Sequence, residues 1–563
     1  MRNIGILCEK TIAQSVIDNQ PKRNYITWHK YKNVRLITEL KGNNMKNVYL
    51  KSISLVLAGL LSMSCLPACS ESTENLSTDE TQQTASVSEA SQENASAEDD
   101  ISEETSNENW RMEVKDSLPS DLDFDGAEVR VFYRNGDVDT AAEFSADELT
   151  GEVVNDAVFN RNNSVQERLN IKMVLSPANL SRHNGGDSKI RPSIKAGSND
   201  YDLIANHMYN TMPMIMEGLF LPLNKLDYIE FSQPWYNSIF TEESSLNGNT
   251  YAVMGDLGQT MISGAFVMFF NKSLLDEYFN GEINLYETVN EGKWTLDEMT
   301  SICSQVYTDT NGNGEADEED VFGHFFTDTK TLGADSFYGA AKLGFFEKND
   351  EGKYVYKGAD TRTIEFTEKM HKLLFEDNNT IRTPNNDDTI MDMMLDRHTV
   401  FTTWMLSGIN YLRDMEDSFG IIPMPKLDEE QDIYTAYTHD GSSAFTIPVT
   451  EQNPDMVAAF LEAMSAESYR TVTPAYFETA IKSKYSRDSE TAQMLDLVVS
   501  GIYLDFSYIF GQSLSVSIDM ARTILSSSTN CENAASTLEK STKSANKAAD
   551  KVIDKFAKLL EEN

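Results

Sequence analysis

From Gly126 onward short apolar runs alternate with amphipathic stretches. Ala127-Glu128-Val129-Arg130-Val131-Phe132-Tyr133 has the period-two pattern of a strand and runs into Arg134-Asn135-Gly136-Asp137, a turn. Val154, Val158, Val165 and Leu169 then recur at helical spacing, with Asn155 as the expected cap. Ile171 to Leu175 and Tyr201 to Ala205 predict a second and a third strand. Strands separated by helices imply a parallel sheet of an α/β domain. Ligands of such sheets sit beyond the carboxyl ends of the strands. Those ends are Tyr133 to Asp137 and Asn206 to Tyr209.

Further along, Ala265 to Phe270 predicts a strand, and Trp294 precedes a helix start with Thr295 and Glu298 spaced as a capping box. Trp294 is expected to pack at that start. Val321 to Phe326 reads as strand. The last helix, Ala534 to Leu560, places Val552, Ile553, Phe556 and Leu559 on one face that should dock on the body.

The chain ahead of this body has a different character. Met45-Lys46-Asn47 and Lys51 precede an apolar run from Ile53 to Met63, followed by Leu66-Pro67-Ala68-Cys69. A basic start, a short apolar run and small residues at the cut form an export signal. The run is shorter than the roughly 20 residues a spanning helix needs. Leu-x-Ala-Cys resembles the lipobox of bacterial lipoproteins, which implies cleavage before Cys69 and lipidation of Cys69 with palmitate-type chains. Residues 45–68 are therefore expected to be the signal peptide. Residues 1–44 do not fit in front of such a signal and read as a mis-called extension. Residues 69–117 are Ser-, Thr- and Glu-rich and cannot bury enough apolar surface to repay chain entropy, so a disordered acidic tether is expected.

Roughly 440 residues remain, room for two domains. The formal net charge of −42 argues against nucleic acid and against electrostatic attraction to anionic lipid. Only Cys303 and Cys531 fall in the body, and spacing does not say whether they pair. H-E-x-x-H, G-x-S-x-G, a phosphate-binding glycine loop and Cys-x-x-Cys are all missing from the body.

Several segments occur in a telling order. They are Tyr201-Asp202-Leu203, Gly218-Leu219-Phe220-Leu221-Pro222-Leu223-Asn224, Phe270-Asn271-Lys272-Ser273-Leu274-Leu275, and Trp294-Thr295-Leu296-Asp297-Glu298. Phe419 to Lys426 and Ala444 to Pro448 follow. Together they resemble the extracellular solute-binding proteins of family 1, the maltose-binding type that serves ABC importers. The resemblance implies a two-lobed periplasmic-binding-protein-like α/β fold with a hinge. Lobe 1 would comprise residues 118–264 plus 443–484, and lobe 2 residues 265–442 plus 485–563. It further implies no catalysis, a small solute (most often a carbohydrate), ABC permease subunits as partners, and a place on the outer face of the cytoplasmic membrane. By position it marks Tyr133, Asn135, Asp137, Asn206, His207, Tyr209, Trp235, Trp404, Tyr437 and Asp440 as ligand-binding candidates. Aromatic faces suit sugar C–H faces, and carboxylates or amides suit hydroxyls. For most of these aromatics, burial in a core is the competing reading. A surface glycan hydrolase and a ligand-sensing partner of a signalling receptor are the alternatives.

Residues 309–320 fit a twelve-residue calcium loop. Asp309, Asn311, Asn313, Glu315, Asp317 and Asp320 fall at the ligating positions, and Gly314 is the sixth residue. Asp320 is shorter than the usual Glu, and a strand follows instead of a helix. One structural calcium ion is expected here. The alternative is a turn held by its own side-chain hydrogen bonds.

Overall fold

The computed structural model describes residues 110–327, 333–383, 390–477 and 489–562. The N-terminal extension, the signal peptide, Cys69 and the tether up to residue 109 lie outside the described residues. The tether ends earlier than expected. Trp110–Glu113 is a short helix, and Trp110 packs edge-on against Tyr469. Asp116 is buried and paired with Arg168 at 2.7 Å and Arg470 at 3.3 Å. Two arginines from the body thus order residues that composition alone assigns to solvent.

The first sheet has the order β11-β3-β1-β2. It contains β1 (Ala127–Tyr133), β2 (Ile171–Pro177) and β3 (Leu203–His207), all parallel, with β11 (Ser443–Thr446) antiparallel to β3. Helix α1 (Val153–Leu169) covers one face with the helix over Pro454–Glu467; α2 (Asp187–Lys195) and α3 (Met208–Ile215) lie on the other. Two boundaries differ from the expectation. Helix α1 begins at Val153, because the Asp156 carboxylate ties back Thr150 and Gly151 and the Asn155 amide donates to the Glu148 carbonyl at 2.8 Å. β3 ends two residues later, because buried Asn206 and His207 continue the strand although their side chains are polar.

The second sheet has the order β10-β4-β9-β5-β8. Its members are β4 (Phe266–Asn271), β5 (Phe322–Thr327), β8 (Thr380–Thr383), β9 (Thr399–Met405) and β10 (Phe419–Ile422). A hairpin, β6 (Phe346–Lys348) with β7 (Tyr354–Tyr356), lies outside it. Of the expected capping box the N-cap half forms, with the Thr295 hydroxyl accepting the Glu298 N–H at 3.3 Å. Trp294 is fully buried behind it and donates its indole N–H to the Pro423 carbonyl. Cys303 and Cys531 are both buried and unpaired. Among the described residues no helix is long and apolar enough to cross a membrane.

The chain is a two-lobed α/β protein, and it crosses between the sheets twice. Ala265 bridges Thr438, and the His439 N–H donates to the Gly264 carbonyl at 2.8 Å. A Cβ on Gly264 would stand 2.8 Å from the Thr438 hydroxyl and 3.0 Å from the Ser442 hydroxyl of the other crossing, so a side chain there would push the two crossings apart. The apolar core is not divided along the same line. One face of the first sheet has a core of its own with the 454–467 helix, whereas the α2 and α3 face merges with the second lobe and the C-terminal helices. The final helix (Ala534–Glu562) buries Val552, Phe556 and Leu559, as its pattern predicts.

Candidate functional site

The ends of β1 and β3, the crossing at residues 438–443 and the end of β9 meet at the junction of the lobes. Arg134, just past β1, is buried and donates to the Arg182 carbonyl at 3.2 Å and the Ser443 hydroxyl at 2.9 Å. Arg182 is also buried. It reaches Asp139 and Ser263 on its own side and the Met405 sulfur on the other lobe at 3.1 Å. Glu143 accepts from Thr260 and Ser443, and its burial, opposed by Arg134, raises its pKa.

Beside this network lie three histidines and a carboxylate. Asp440 Oδ1 is 3.4 Å from His439 Nδ1 and 3.8 Å from His207 Nε2, and the His183 ring meets His439 edge-on at 5.2 Å. Burial holds His207 and His439 well below the usual imidazole range, and Arg134 and Arg182 add to the effect. Both rings are therefore neutral near pH 7. Burial also pushes the Asp440 carboxyl up, to about 6. From the second lobe Arg522 approaches on a helix over Ile518–Ile524. It binds Asp335 through two N–H groups, at 2.7 and 2.5 Å, and Asp519 at 2.8 Å.

Of the ten candidates, His207, Asp440 and half-buried Tyr209 gather here. The others are placed differently. Trp404 is buried in the core of the second lobe on the strand face opposite Met405, with exposed Tyr411 edge-on to it at 6.2 Å, so it packs instead of facing a ligand. Trp235 is fully buried in the core of the first lobe against Tyr236 and Tyr469, so it packs instead of facing a ligand. Tyr133 is likewise buried, against Phe144. Tyr437 stacks on Tyr508 at 4.1 Å inside an aromatic column and donates to Asp505. Asn206 spends its amide on the Gly186 N–H and the Thr211 hydroxyl, and Asn135 accepts from the Asn179 N–H. Asp137 caps the helix over Val138–Ala142 and accepts from the Arg182 N–H. These three polar side chains shape loops. Arg134, Arg182, His183, Asp335 and Arg522 were not singled out from the sequence. Only the position of Arg134 directly after a strand offered any signal.

The 309–320 loop closes on itself. Asp309 accepts from the Gly312 and Gly314 N–H groups, at 2.7 and 2.9 Å, while Asp317 binds the Asn311 and Asn313 amides. Asp320 accepts from Thr310, Asp317 and Tyr307. Among the described residues no three His, Cys, Asp or Glu side chains are gathered for a metal ion. A separate surface groove of about 670 Å³, lined by Lys293, Asp297, Glu365 and Asp428 among others, lies wholly on the second lobe. It shares no residue with the junction.

No protein-family model and no curated protein matches the chain. Similar solved structures are sugar-binding proteins of ABC transporters. One is an ABC substrate-binding protein from Listeria monocytogenes in complex with cycloalternan, at 12% identity, covering 74% of this chain and 100% of that one with a TM-score of 0.46. A cyclo/maltodextrin-binding protein complexed with maltotetraose is 12% identical, with 76% and 97% covered and a TM-score of 0.48. The galacto-N-biose/lacto-N-biose I-binding protein of the Bifidobacterium longum ABC transporter is 12% identical, with 78% and 98% covered and a TM-score of 0.47.

Proposed function

We propose that this protein is the extracellular solute receptor of an ABC importer, anchored by lipid at Cys69 and capturing a carbohydrate between its lobes without transforming it. The observation that carries the reading is the junction itself. Polar side chains from the strand ends of one lobe, the crossing strand and the far lobe converge at the one place where closure would bring both lobes onto a solute. Exposed Tyr411, edge-on to buried Trp404, supplies aromatic surface beside that junction. The acidic chain ahead of the body suits a tether from a lipid anchor to a soluble body, and the family resemblance adds permease subunits as partners. The calcium reading of residues 309–320 rests on the spacing of its oxygen ligands and on Gly312 and Gly314, whose φ of 68° and 77° give the sharp turn.

The test is thermal unfolding against a library of mono- and oligosaccharides, with and without calcium, alongside a search for products. A bound solute at 100 times its Kd stabilises by about 2.7 kcal/mol. Stabilisation by one glycan class with the glycan recovered intact supports a receptor. Turnover would reassign the protein as a glycan hydrolase, and silence across all saccharides would remove carbohydrate as the solute.

A further inference from the structure

Asp440 is a carboxylate without a donor. Its side chain is 10% exposed, and no described group hydrogen-bonds to its oxygens. The terminal nitrogens of the cations around it are committed elsewhere, and the buried Nε groups of Arg134 and Arg182 make no hydrogen bond to it. Arg134 spends its terminal nitrogens on Arg182 and Ser443, Arg182 on Asp139, Ser263 and Met405, and Arg522 on Asp335 and Asp519. The nearest side-chain atom is an acceptor too. His439 Nδ1, 3.4 Å from Asp440 Oδ1, takes the Gly441 N–H at 2.9 Å, so it carries no proton to offer the carboxylate. The proton of that ring is then on Nε2, which is buried without a partner, as is His207 Nδ1. No N–H or O–H of the described residues lies within hydrogen-bond distance of the Asp440 carboxylate, His207 Nε2 standing 3.8 Å away, and a buried carboxylate so placed costs free energy unless a donor arrives.

The local charge has the same sense. Arg522 faces two carboxylates, Asp335 and Asp519, and Arg134 is offset by Glu143, which leaves Asp440 as surplus negative charge. The recess borders solvent through exposed His183 and through Asp519, whose side chain is 64% exposed. A neutral hydroxyl brings one proton, whereas an ammonium brings three and a charge opposite to the surplus.

We propose that Asp440, with His439 and His207 beside it, is an anchor for an ammonium group, so that the solute taken between the lobes is cationic, an amino sugar or its oligomer. This rests on the receptor reading. The experiment is calorimetric titration of the full-length protein at pH 7 with glucosamine, galactosamine and glucosamine oligomers, each against its neutral hydroxyl counterpart. The amino forms are expected to bind about tenfold tighter or more, as a charged hydrogen bond provides. Asp440→Asn is expected to bring that ratio to within about threefold. Should the variant not fold, the wild-type ratio measured from pH 5 to pH 7 serves instead. With monomeric glucosamine, which is mostly protonated over that window, the preference is expected to grow as the carboxyl ionises among Arg134, His183, His207, His439, Asp335, Asp519 and Arg522. Equal affinity for the neutral counterparts, an undiminished ratio in Asp440→Asn, or a ratio independent of pH overturns the anchor and leaves the receptor reading standing. Binding by neither set overturns both.

Discussion

Asp440→Asn is expected to make the protein more stable at neutral pH, and the size of the effect follows from the burial of the carboxyl. Burial comes first among the causes that lift its pKa to about 6 from 3.8; Asp519 adds to it, and Arg522 and Arg134 oppose it. A carboxyl whose pKa is raised in the folded state gives stability that is present below 3.8 and lost as pH climbs through 6. The difference of 2.2 units, 6 minus 3.8, corresponds at 1.36 kcal/mol per unit to about 3 kcal/mol above pH 6. Asparagine keeps the shape and cannot ionise. Urea unfolding of both proteins at pH 4.0 and pH 7.5 reads the effect directly. The variant should exceed the wild type by about 3 kcal/mol at the higher pH and by under about 1 kcal/mol at the lower. An equal gap at both pH values, or a wild type more stable at pH 7.5, would show that Asp440 has a donor and would refute the reasoning.

Further perturbations test other parts of the structure. Phe556→Ala removes a buried ring that meets Tyr251 and Phe510 edge-on, at 5.6 and 5.7 Å. It should cost about 3–5 kcal/mol in urea unfolding, and Phe556→Leu less than half of that. If residues 309–320 hold calcium, a chelator should lower the melting temperature of the wild type but not of Asp309→Ala. A loop held only by its own hydrogen bonds would not respond. Cys69→Ser should abolish incorporation of labelled palmitate in cells and release the protein from membranes.

Alternation and helical period were enough to locate β1, β2, β4, the capped helix start at Thr295 and the buried face of the last helix, because each follows from where apolar residues repeat. The site was less legible. Trp235 and Tyr133 carry the residue types of a sugar site, yet burial in the first lobe gives both to packing. No local pattern separates an aromatic that faces a cleft from one that faces a core. Asp137, Asn135 and Asn206 sit where strands end, but there they satisfy backbone N–H groups of the loops they shape. Arg522 lies 187 residues from its partner Asp335, and only the folded chain brings that pair to the Asp440 side of the junction. The end of the tether was missed for a related reason, since Asp116 is ordered by Arg470, 354 residues away.

The division of the apolar core bears on how such a protein would close. One face of the first sheet has an independent core, but Met208 to Phe220, with Phe240, Leu246, Tyr251 and Met254, share their burial with the second lobe and the C-terminal helices. Phe556, Phe510 and Tyr251 knit that seam with apolar rings, and separating them would expose surface worth several kcal/mol. At the polar junction, by contrast, Arg182 reaches across to the second lobe through a sulfur atom, a weak acceptor. Parting that contact costs far less than opening the aromatic seam. Motion between the lobes therefore concentrates at the polar edge, where Asp440 waits without a donor, and a ligand that satisfies the carboxylate gains most from drawing that edge shut.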